Sequence, residues 1–140
     1  MSAMKGSCLC GSLKFEVSGD PIFQGFCQCM DCRKAATGSF PAMGFPPGAV
    51  KVTGEYRTYS KAGDSGKAIH RNFCPNCGGV AFDTIDVMPG VTIINAALLD
   101  EPGQFKPDHV VYARSALPWD HMDPKLAKFP TMPPPQGSGS

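Results

Sequence analysis

Apolar and polar residues alternate along this chain in short runs that glycine and proline cut off. Leu13, Phe15 and Val17 alternate with Ser12, Lys14 and Glu16, the period of a strand with one buried face, and Gly19-Asp20-Pro21 stops it. The same reading places strands over 22–26, 40–45, 50–53, 56–60, 67–73, 80–84, 91–98 and 109–112. Between them stand Pro46-Pro47-Gly48, Gly54, Gly63-Asp64-Ser65-Gly66, Pro89-Gly90 and Pro102-Gly103, residues that favour turns. One short helix is expected over 30–36, ending near Gly38. The pattern predicts a mostly β domain with at most one short helix.

A chain of 140 residues without internal repeats suits one hydrophobic core. The expected organisation is a single domain over 1–123 and a proline-rich mobile tail over 124–140, because the residues after Trp119 bury little apolar surface. The closing Gly137-Ser138-Gly139-Ser140 has the look of an expression remnant and is set aside. The formal net charge is only +1 and the basic residues are scattered, which argues against a nucleic-acid or membrane-binding face. No apolar run approaches the roughly 18 residues of a membrane span, and residues 1–6 hold no hydrophobic signal core, so a cytoplasmic location is expected.

The seven cysteines change this picture. They fall in three clusters: Cys8 and Cys10; Cys27, Cys29 and Cys32; and Cys74 and Cys77. An odd count cannot pair off within one chain, and Cys-x-Cys spacing is awkward for a disulfide but suited to sharing a metal, so a reducing compartment fits. A division into four plus three matches the distinction between a closed structural zinc site and a working one with an open position. Cys74-Pro-Asn-Cys77-Gly78 has the spacing of a zinc knuckle, and Cys10-Gly11 repeats its ending. Pairing Cys8 and Cys10 with Cys74 and Cys77 would staple the N-terminal strand to the middle of the chain. Two zinc ions per chain are expected.

Cys27, Cys29 and Cys32 place three sulfurs within six residues. His70, His109 or His121 is a candidate fourth ligand, and an open site is the preferred reading. Three thiolates leave Zn²⁺ with a net charge of about −1, which suits a thiol substrate held as thiolate better than strong polarisation of water. Arg33 and Lys34 follow at once and are candidates to hold a substrate carboxylate.

With these motifs the chain resembles the glutathione-dependent formaldehyde-activating family, which includes the centromere protein V domain. The resemblance runs from Gly6 to Trp119. It rests on Gly6, Cys8, Cys10, Gly11, Leu13, Phe15 and Val17, on Cys27, Cys29, Cys32, Arg33 and Lys34 with Gly38-Ser39 after them, on Arg71, Phe73, Cys74, Pro75, Cys77 and Gly78, and on Pro107 and His109 leading to Trp119. It implies an all-β fold of coiled antiparallel strands, a structural zinc on Cys8, Cys10, Cys74 and Cys77, and a catalytic zinc on Cys27, Cys29 and Cys32. It also implies condensation of formaldehyde with glutathione to S-hydroxymethylglutathione, a carbon–sulfur lyase reaction in reverse. Arg33, Lys34, Ser39 and Trp119 are then the expected substrate contacts. Many relatives carry histidine where this chain has Gln28, which cannot shuttle a proton near neutral pH.

Other readings of the same cysteines stay open at this point. One is hydrolysis or hydration of a small electrophile by metal-bound water. Another is a non-catalytic zinc module that binds a protein partner, and a third is a redox sensor built on clustered thiolates.

Overall fold

The computed structural model describes residues 3–36 and 38–133. In chain order its strands are β1 (Met4–Ser7), β2 (Lys14–Val17), β3 (Phe23–Cys27), β4 (Phe40–Phe45), β5 (Val50–Thr53), β6 (Arg57–Ala62), β7 (Ala68–Phe73), β8 (Val80–Ile85), β9 (Thr92–Asn95), β10 (His109–Val111) and β11 (Ala127–Lys128). The one α-helix among the described residues, α1 (Met30–Ala36), lies between β3 and β4. The fold is therefore all-β in class. The chain divides into two compact units, one formed up to Gln24 and over Ala42–Lys106, the other over Gly25–Pro41 and from Pro107 onward.

In the first unit β1, β2 and β5 form a three-stranded antiparallel sheet, and β4, β9, β8, β7 and β6 follow one another in an antiparallel ladder. The alternation along β2 does what the pattern demands: Phe15 and Val17 are buried while Lys14 and Glu16 face solvent. Phe15 joins Leu13, Val17, Met43, Phe45, Phe82, Ile94, Leu99 and the buried thiols Cys8 and Cys74 in one core. Strand β1 escapes the sequence reading because its inward position opposite Phe15 is Gly6. A Cβ at Gly6 would come within 2.5 Å of the Phe15 ring, so a gap in the apolar pattern is what the ring requires. Deeper in the ladder, Arg71 lies directly across from Asp83, both nearly buried, as opposite charges on paired strands.

The apolar run over 91–98 is not one strand. After β9 the Asn95 side chain accepts a hydrogen bond from the Ala97 amide at 3.0 Å and donates to the Val80 carbonyl at 2.9 Å, and the backbone tightens into a 3₁₀ turn over Ala96–Leu98.

In the second unit, Gly25, Phe26 and Cys27 pair with β10 in parallel, and β10 pairs with β11 in parallel. These pairs depart from the expected antiparallel pattern; more than eighty residues separate β3 from β10, ample for a crossover connection. Part of the stretch expected as a tail carries backbone pairing. Ala127 and Lys128 form β11, and the Tyr112 and Ala113 amides donate to the carbonyls of Thr131 and Phe129 at 3.1 and 3.0 Å. Residues 134–140, which hold the rest of that tail, lie outside the described residues.

Candidate metal centres

The first cluster is assembled within the first unit by two similar turns. After β1, the Gly11 amide donates to the Cys8 carbonyl at 3.0 Å, and after β7 the Gly78 amide donates to the Cys74 carbonyl at 2.8 Å. Gly11 and Gly78 both take the left-handed conformation, with φ of 83° and 79°, that a side chain would resist. The turns bring Cys8, Cys10, Cys74 and Cys77 together with all four sulfurs within 4.8 Å of one another. The Cys10 sulfur lies 3.6 Å from those of Cys8 and Cys74. Four ligands at the usual Zn–S distance would stand about 3.8 Å apart on a tetrahedron, so the donor set and its spacing fit zinc.

The polar groups around Cys10 and Cys74 favour thiolates, whereas burial and the neighbouring Cys8 and Cys74 thiols raise Cys77. The Leu13 and Asn76 amides each donate at 3.4 Å, to Cys8 and Cys74 respectively. Ser12 Oγ lies 3.1 Å from the Cys10 sulfur and 3.3 Å from that of Cys74. Hydrogen bonds from Ser12 and then Asn76 lower the Cys10 thiol to about 5, and Ser12 also lowers Cys74.

The second cluster lies within the second unit, on the turn from β3 into α1. Cys27 ends the strand, Cys29 stands in the turn and Cys32 lies in the first part of the helix, where its amide donates to the Cys29 sulfur at 3.2 Å. The three sulfurs lie within 4.8 Å of one another and each residue is half-buried. Hydrogen bonding from Cys29, reinforced by burial, pushes Cys27 up to about 12, and Cys27 and Cys29 together push Cys32 up further. Three thiols crowded this closely resist ionising together, and a cation among them is what reverses that resistance. This donor set also fits zinc.

Neither cluster takes in a histidine among the described residues. His70 is engaged between Ser60 Oγ at 2.6 Å and Asp86 Oδ1 at 2.9 Å, and His109 pairs through Nδ1 with Asp108 at 2.5 Å. The His109 ring covers Gly25, where a Cβ would meet it at 2.6 Å. His121 is exposed.

The expected substrate contacts divide. Arg33 does not point its guanidinium outward. Its two terminal nitrogens donate to the Asp120 carboxylate at 3.2 and 2.7 Å, and Nη2 also reaches the Gln28 and Ser115 carbonyls at 3.4 and 3.3 Å. Asp120, in turn, accepts from the Leu117 amide at 2.7 Å. The paired guanidinium and that amide hold the Asp120 carboxyl below its ordinary range. Sequence inspection misses Asp120, because an isolated acid 87 residues away carries no local signal. Lys34 and Trp119 are exposed, the indole to 69%. Ser39 is half-buried, and Gln28, 2% exposed, donates from Nε2 to its Oγ at 3.1 Å.

Taken together, these features define a small β-sheet protein with two thiol clusters suited to zinc, one closed by four cysteines and one limited to three. The chain belongs to the glutathione-dependent formaldehyde-activating enzyme family, whose model matches residues 3–115. It is 30% identical over 132 residues, 87% of this chain and 70% of the other, to a Talaromyces marneffei protein provisionally named a glutathione-dependent formaldehyde-activating enzyme. The fold is similar to a crystal structure of a Rhodobacter sphaeroides protein, with a TM-score of 0.58 at 20% identity, covering 90% of this chain and 99% of that one. No helix among the described residues is long and apolar enough to cross a membrane.

Proposed function

We propose that the protein joins a glutathione-like thiol to formaldehyde or a similar small aldehyde, giving a hemithioacetal (S-hydroxymethylglutathione from formaldehyde and glutathione), and runs the reverse cleavage as a carbon–sulfur lyase. The observation that carries this reading is the three-cysteine turn, whose sulfurs lie within 4.8 Å and take in no histidine among the described residues, in a chain of this family. Cys27, Cys29 and Cys32 would hold one zinc, and Cys8, Cys10, Cys74 and Cys77 a second. A zinc on three thiolates supplies a position at which an incoming thiol stays deprotonated.

The rest falls to the chain's own side chains. Lys34, exposed on α1, would hold a carboxylate of the thiol substrate. As the thiolate sulfur attacks the carbonyl carbon, the C–S bond forms, the C=O electron pair moves onto oxygen, and that oxygen takes up from solvent the proton the thiol gave up. Ser39 supports that charge: its Oγ accepts from Gln28, which leaves its own proton to donate to the aldehyde oxygen. Gln28 therefore orients a donor and carries no proton itself. Trp119, exposed on the same unit, would offer an apolar face to the substrate. A reducing cytoplasm suits this set of seven free thiols.

The test is magnetisation-exchange NMR on zinc-loaded protein with glutathione and ¹³C-formaldehyde, measuring exchange between free aldehyde and adduct. Exchange faster than the protein-free reaction, lost in Cys27→Ala and Cys32→Ala, is expected. Exchange no faster than in buffer sinks the reading, and aldehyde turnover without thiol points instead to hydration.

A further inference from the structure

The segment 112–120 leaves the second unit's small sheet and returns to the same few residues from which it departed. At its start, the Val111 carbonyl accepts from the Gln28 amide at 3.1 Å, in the middle of the cysteine turn. At its end, Asp120 is bound bidentately by Arg33, the residue that follows Cys32. The Arg33 fork also catches the loop midway, at the Ser115 carbonyl, and the turn itself, at the Gln28 carbonyl. Both partners are almost withdrawn from water, with side-chain exposures of 12% and 5%. Surface ion pairs contribute little, whereas a desolvated, bidentate, multiply hydrogen-bonded pair fixes geometry. Next to this anchored carboxylate the chain presents its sole tryptophan, Trp119, with most of its ring in solvent. The clamp fixes the backbone at Asp120, one residue from this indole, while the ring itself stays open to solvent and to small molecules.

We infer that Arg33 and Asp120 are positioning residues that hold the 112–120 loop against the three-cysteine turn, so that Trp119 stands as a fixed aromatic wall of the substrate site. Arg33 serves the site by orienting this loop and leaves the substrate carboxylate to Lys34. The role of the wall rests on the proposed thiol–aldehyde reaction; the clamp itself does not. The family match ends at residue 115, short of both Trp119 and Asp120.

The sole tryptophan makes the clamp visible. On zinc-loaded full-length protein, Asp120→Asn should lower the steady-state fluorescence anisotropy of Trp119 and raise its quenching by acrylamide, with two zincs per chain retained. In the exchange assay KM for glutathione should rise roughly ten- to hundredfold with kcat little changed, the order that misplacement of a binding group costs. Arg33→Lys, which keeps the charge but loses the fork, should fall between, and the exchanged pair Arg33→Asp with Asp120→Arg should recover anisotropy and KM in part. If Asp120→Asn leaves anisotropy and quenching unchanged, the clamp is wrong. If it sheds zinc and melts early while Arg33→Lys behaves as wild type, the pair is merely structural and the inference falls. If wild-type protein shows no turnover, the function reading fails, and anisotropy and quenching still decide whether the clamp exists.

Discussion

The four-cysteine cluster should dominate the stability of the fold, and Cys74→Ala measures by how much. Cys74 is fully buried, belongs to the core, and faces the Cys10 sulfur at 3.6 Å across 64 residues of chain. A metal that links these positions removes chain entropy from the unfolded state as any cross-link does. For a loop of that size the loop-closure relation gives about 4 kcal/mol. Cys27 and Cys32 lie only six residues apart, inclusive, and the same relation gives about 2 kcal/mol for a link between them. Total stability is typically about 5–15 kcal/mol, so Cys74→Ala should remove between about a quarter and most of it, whereas Cys27→Ala should melt only modestly earlier. The assay is calorimetric unfolding of both variants beside wild type, with zinc per chain measured by native mass spectrometry. Wild type with two zincs, Cys74→Ala with loss of the first site, and a clearly larger drop in melting temperature for Cys74→Ala are the expected results. Equal shifts for the two variants, or a Cys74→Ala protein as stable as wild type, would refute the cross-link argument.

Three further outcomes follow from the same geometry. Phe15→Ala removes a fully buried ring from the core above Gly6 and should cost about 3–5 kcal/mol by urea unfolding. Gln28→Leu removes the bond to Ser39 and should lower stability by about 1 kcal/mol while reducing kcat for aldehyde more than it raises KM for thiol, as read in the exchange assay. Arg33 first, then the Leu117 amide, depresses the Asp120 carboxyl, with His121 adding to the effect, so the stabilisation from its charge is present above the unfolded carboxylate value near 4 and is lost as pH falls through the lower folded value. The stability gap between wild type and Asp120→Asn should therefore hold from pH 7 to about pH 4 and close below it, and a gap that closes between pH 7 and 5 contradicts this.

Local chemistry made much of this molecule readable in advance. The helix over Met30–Ala36 and the strands Phe40–Phe45 and Val50–Thr53 stand where alternation and turn residues put them, since each is bounded by glycine, proline or a cysteine turn. The division of the cysteines was equally legible, because Cys-x-Cys and Cys-x-x-Cys impose their geometry within a few residues. What stayed hidden depends on distant partners. Gly6 in β1 makes sense only beneath the Phe15 ring, and Asn95 ends its strand because Val80 receives its amide. Residues Ala127–Lys128 become a strand because β10 offers an edge, although their own composition reads as tail. Arg33 looks like a free cation in the sequence until Asp120 claims it.

The chain passes between its two units three times, after Gln24, Pro41 and Lys106, and this has a consequence for biosynthesis. The first unit has all its residues once Lys106 has been made, whereas the segment carrying Cys27, Cys29 and Cys32 must wait for β10, which begins at His109, before its strand has a parallel partner. At usual elongation rates, 77 residues from Cys32 to His109 take roughly 4–15 s. For that interval three thiols travel on a nascent chain before the strand that pairs with Cys27 exists, and the cell must keep them reduced until translation catches up.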